Sequence, residues 1–141
     1  MKKKHTLDLQ RELVSSCDIS QFLSDNQDQF IRRDFASKLQ ELFNKSRIAK
    51  AALAKRAGIS EVYLYQLFSG ERIPSRDKAI CLCVGLGATL EETQELLKHS
   101  GLAQLYAKHR RDAIVMYGLN HGMDLMELND LLFSENEDTL C

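Results

Sequence analysis

KAALAKRAGISEVYLYQLFS, residues 50–69, decides how this chain is read. Apolar residues at helical spacing flank a central glycine, with Leu53 before it and Leu64 and Leu67 after it. Ala54 is small enough to let two helices cross closely. Gly58, four residues later, supplies the positive φ of a tight turn. Ile59 plugs the gap between the helices, and Ser60 suits the N-cap of the second. With Leu64 and Leu67 turned inward, Glu61, Val62, Tyr65, Gln66 and Ser69 share the opposite face. The pattern predicts a helix-turn-helix that presents this polar face outward.

The flanks continue in helices. Apolar residues at Phe30, Ile31, Phe35, Leu39, Leu42 and Phe43 predict a helix over 30–43, ended by Asn44, Lys45 and Ser46. Shorter helices are expected at 7–14 and 19–23, the second capped by Asp18 or Ser20. Downstream, Gly70 stops the second helix of the motif. Pro74 and Ser75 open a helix over 76–86. Thr89 and Glu92 form a capping box for a helix reaching His99, and Gly101 ends it. No stretch alternates with the period of a strand.

Residues 76–97 align without gaps onto 111–132, an offset of 35. Arg76/Arg111, Asp77/Asp112, Gly87/Gly122, Leu90/Leu125, Glu92/Glu127, Leu96/Leu131 and Leu97/Leu132 are identical pairs. Asp124 with Glu127 repeats the capping arrangement of Thr89 with Glu92. Two copies of a helical hairpin that share their apolar faces are expected. Residues 134–141 are acidic and expected to fray.

The formal net charge of -1 conceals an asymmetry. Residues 38–80 carry nine Lys/Arg and four Asp/Glu, whereas 81–141 carry four and ten. A basic middle beside an acidic end can orient a protein on a polyanion. The cysteines Cys17, Cys81, Cys83 and Cys141 form no CxxC pair, and neither they nor the histidines show zinc spacing. They read as core thiols of a reducing cytosol. The near-apolar run 79–90 is too short for a bilayer, and no export signal is evident. No phosphate-cradling glycine loop or nucleophile–base set is found. The expectation is a cytoplasmic protein that is not an enzyme and takes no cofactor and no metal. The basic run Lys108-His109-Arg110-Arg111 reads as solvated surface.

The motif resembles the lambda-repressor/Cro-like (XRE) helix-turn-helix family. The alanine, glycine, isoleucine, serine and two leucines all sit in register. SGERIP, residues 69–74, followed by a helix through Ala79 and Leu86-Gly87, looks like that family's exit into its fourth helix. One departure is Ala49, which stands where the family has a Ser or Thr N-cap. The resemblance implies an all-α fold: a lambda-repressor-like core with extra N-terminal helices and a C-terminal hairpin repeat. It implies a bacterial, dimeric regulator of transcription that binds double-stranded DNA. Ser60, Glu61, Val62, Tyr65, Gln66 and Ser69 would lie nearest base edges, Gln66 being suited to adenine. Lys45, Arg47, Lys50, Arg72 and Arg76 would meet phosphates.

The expected organisation is an N-terminal helical extension at 1–33, the core at 34–101, the second hairpin at 102–133 and an acidic tail at 134–141. The second hairpin serves stability, dimerisation or contact with a protein partner. Another reading stays open: an adaptor or antitoxin-like module that keeps the fold but contacts protein.

Overall fold

The computed structural model describes residues 4–29 and 34–141. It divides into two compact units, Met1–Arg32 and Arg33–Cys141. In the first, α1 (Thr6–Ser15) and α2 (Ile19–Asp25) are followed by a 3-10 turn, Gln27–Gln29. The Asp18 carboxylate caps α2 by accepting from the Ser20 N–H. Phe22 and Asn26 are buried, and the Asn26 amide donates to Glu12 at 3.0 Å. No residue of α1 is buried.

The second unit contains α3 (Phe35–Ser46), α4 (Lys50–Ala57), α5 (Glu61–Ser69), α6 (Arg76–Leu86), α7 (Leu90–His99), α8 (Arg110–Asn120) and α9 (Leu125–Ser134). No strand occurs among the described residues. The helix expected over 30–43 is displaced at both ends: Asp34 is a non-helical N-cap, so α3 begins at Phe35, and it runs on through Asn44, Lys45 and Ser46; residues 30–33 lie outside the described residues. None of the helices described is long and apolar enough to cross a membrane.

α6 is the axle of this unit. Every residue from Ala79 to Gly85 is buried, so no face of the helix meets water. That explains its lack of amphipathic pattern: a helix apolar all round belongs inside. α4 packs most closely on it. A Cβ added at Gly85 would come within 3.2 Å of both the Ala57 nitrogen and a Leu53 methyl, so the glycine sets that approach. Leu39, Leu53, Leu64, Leu67, Leu82, Leu96 and Leu97 complete a core with no exposed side-chain area. Burying each of these leucines is worth about 1.5–3 kcal/mol.

The repeat is present in the backbone. Gly87 and Gly122 turn with φ 66° and 65°. Thr89 and Asp124 each close a full capping box, with Glu92 and Glu127. The match runs further than the sequence alignment. Arg76 Nε donates to the Ala103 carbonyl at 2.8 Å, and Arg111 Nε to the Asp138 carbonyl at 2.9 Å. The Gln94 amide oxygen accepts from Leu105 N–H at 2.7 Å, and that of Asn129 from Leu140 N–H at 2.8 Å. Each hairpin thus ends in an extended strap laid back along it. The segment expected to fray is therefore held, with Leu140 buried in the core. The reason is that its bonds go to backbone atoms, which leave little trace in residue identity.

Candidate nucleic-acid interface

The α4–α5 turn forms as its residues require. Gly58 takes the left-handed conformation (φ 68°), and the Ile59 N–H donates to the Ala54 carbonyl at 3.0 Å. Ala54 is buried and Ile59 half-buried beneath the turn. Ser60 Oγ accepts from the Tyr63 N–H at 3.1 Å, capping α5 and leaving its own hydroxyl proton free to donate. Ala49 gives α4 no side-chain cap, so the first N–H groups of that helix lack one.

Leu64 and Leu67 are fully buried, which turns the rest of α5 outward. Val62 is 69% exposed and Tyr65 52%. Ser60, Glu61 and Ser69 are exposed, and Gln66 is half-buried. The Gln66 carbonyl accepts from Ser69 Oγ and the Arg72 N–H, while its side-chain amide has no partner among the described residues. The six residues expected on one face are therefore together and open to solvent.

The basic residues around this face divide into two groups. Arg47 and Arg72 are exposed and carry no side-chain partner among the described residues. Arg47 also caps α3 in the left-handed region (φ 58°), a position where a non-glycine residue is uncommon. Lys50 is held in place. Its ammonium lies 4.6 Å from the centroid of Phe68, 5.1 Å from Tyr65 and 5.9 Å from Phe43. Phe43 and Phe68 meet edge to face at 5.2 Å. This cation–aromatic cluster ties α3, α4 and α5 together and orients the charge.

Lys45 and Arg76 are engaged elsewhere. Lys45 pairs with Glu92 at 2.8 Å, an ion pair that raises the lysine pKa and lowers that of the carboxylate. Arg76 departs further from the phosphate role expected of it. Its guanidinium forks onto both Asp112 oxygens, at 3.1 and 2.8 Å, and also bonds the Ala103 and Gln104 carbonyls. These four bonds use it as an internal clasp. Burial pushes the Asp112 pKa up, but the Arg76 guanidinium and the Tyr106 N–H outweigh it and hold the carboxyl below its usual range. Arg111 makes the reciprocal pair with Asp77, at 2.9 and 3.1 Å.

No cluster of three or more potential metal ligands occurs among the described residues. Of the cysteines expected in the core only Cys81 and Cys83 are buried, while Cys17 and Cys141 are exposed; burial raises the Cys81 and Cys83 thiols to about 12, so neither is a ready nucleophile.

Among known families, residues 34–96 match the model of the helix-turn-helix domain. The match begins beside α3, includes the whole α4–α5 turn and ends within α7. It leaves α8 and α9 outside. No curated protein and no solved structure gives a match.

Proposed function

We propose, from the helix-turn-helix domain of the XRE/Cro-like type that this chain carries at residues 34–96, that the protein is a sequence-specific regulator of transcription that binds double-stranded DNA. α5 enters the major groove with Ser60, Glu61, Val62, Tyr65, Gln66 and Ser69 toward the bases. The observation that carries this reading is the open face of α5, with two buried leucines behind it and uncommitted arginines beside it. Gln66 has a free amide that can pair with adenine, and Val62 offers apolar contact to a thymine methyl. Arg47, Lys50 and Arg72 hold phosphates, helped by the uncapped start of α4. Lys45 can join them only by leaving Glu92. Arg76 positions the C-terminal hairpin instead. Binding to paired half-sites as a homodimer in a bacterial cytoplasm completes the proposal.

The test is selection of bound duplexes from a random pool, followed by gel shifts at two salt concentrations. Affinity should fall steeply with salt. Arg72→Ala should weaken all sequences alike, whereas Gln66→Ala should relax one base preference by about 1–3 kcal/mol. Failure to enrich any sequence would overturn the reading. The alternative, a module that contacts protein, is favoured by one observation, the apolar surface of α9.

A further inference from the structure

The internal repeat supplies its own control for surface composition. α7 and α9 occupy equivalent places in the two hairpins, residue for residue at an offset of 35. On its outer surface α7 carries Glu91 and Lys98, both exposed, as a solvated helix should. At the same two positions α9 carries Met126 and Phe133, 74% and 77% exposed. The frame tolerates charge at these sites, so packing does not demand the apolar pair. Met126 also borders a groove lined by Leu119, Met123 and Leu125 together with Lys55, Arg56 and Asp130. Large apolar side chains grouped on an open surface mark a place that another molecule covers.

Charge indicates what covers it. Asp130 lies between Met126 and Phe133 on the same face, four residues after one and three before the other. Its carboxylate has no partner among the described residues. Beyond Arg111 the sequence contains no lysine or arginine; Asp124 and Glu127 cap the start of the helix, and Glu135 and Glu137 just past its end pair with Arg110. Two copies of α9 face to face would oppose Asp130 to its own copy with no lysine or arginine on either helix, which disfavours self-pairing here.

We propose that the outer face of α9 is a docking site for a partner protein's amphipathic helix, one that places a basic residue between two large apolar side chains. Met126 and Phe133 take the apolar side chains, and Asp130 pairs the base between them. The inference is independent of whether α5 reads DNA. It would make the C-terminal hairpin the part that connects the regulator to other machinery.

The experiment uses the full chain and two synthetic helical peptides on an alanine frame. One has two leucines seven residues apart surrounded by lysines; its twin has glutamates in place of the lysines. Calorimetric titration should show the lysine peptide binding at least about tenfold tighter than the twin. The double variant Met126→Glu/Phe133→Lys, which copies α7, should lose that binding at unchanged thermal stability, since both sites are exposed. Asp130→Lys should reverse the preference toward the glutamate twin. Equal binding of both peptides, or a double variant that binds like the parent, would overturn the proposal. So would a parent dimer in sedimentation that the double variant dissociates, because the face would then belong to a second copy. Gel shifts with the same variants keep this outcome separate from the DNA reading, which they should leave unchanged.

Discussion

The two C-terminal hairpins share one set of turns, caps and clasps, yet their first helices live in different surroundings. α6 is buried along its whole middle, from Ala79 to Gly85. In α8 only Asp112, Val115 and Gly118 of its eleven residues are buried, and the face around Tyr117 is half open. The difference comes from what lies alongside. α4 lies against α6, and among the described residues no helix covers α8 in that way. A repeated frame thus fixes local geometry through caps and backbone bonds. The residues placed on that frame decide whether a helix is core or surface.

The comparison is most exposed at Leu82 and Tyr117, equivalent positions in the two copies. Leu82 is fully buried, and Leu82→Ala should cost about 2–5 kcal/mol in urea unfolding. Tyr117 is 50% exposed, with its ring stacked on His121, and Tyr117→Ala should cost under about 1 kcal/mol. Equal costs would mean that the surroundings of α6 and α8 do not differ as described.

The reciprocal clasps come next. The Asp112 side chain is 10% exposed and that of Asp77 39%, so the two pairs are not equally shielded. Arg76→Ala, which strands the better buried carboxylate, should cost about 2–3 kcal/mol. Arg111→Ala should cost less, because water can reach Asp77. The reverse order would break the asymmetry. Smaller still is the shared turn. Gly87→Ala and Gly122→Ala each place a Cβ in the left-handed region with open space around it, and each should cost about 1 kcal/mol. Unequal values would show that the two turns are not the same element.

Acid sharpens the same contrast. The folded Asp112 carboxyl titrates below its usual range. Its contribution is therefore complete above the unfolded value of about 4, and is lost as pH falls through the lower folded value. Asp112→Asn should flatten the acid side of a stability–pH curve. An unchanged slope would remove Asp112 from the account.

Much of the fold was legible because its signals are local. The alanine, glycine, isoleucine, serine and leucines of 50–69 each act on neighbours within a few residues, and the turn forms as they require. The exposed face of α5 was legible for the same reason. The basic residues were less so. Arg76 reads as a phosphate ligand by its place after the motif, but Asp112, 36 residues away, captures it. Lys45 is drawn to Glu92 across a gap of 47. A cation's role depends on which anion the fold brings to it, and spacing along the chain does not reveal that.

The sequence alone settled the all-helical make-up, the two capping boxes, the crossing of α4 and α5 and the existence of a repeat, because these rest on backbone preferences and short-range periodicity. Only the tertiary structure decided that the repeat closes on itself through exchanged arginine–aspartate pairs, that residues 137–140 form a strap, and that Met126 and Phe133 remain uncovered. Those outcomes depend on groups distant in sequence meeting in space, and on which surfaces are left over once the core has closed.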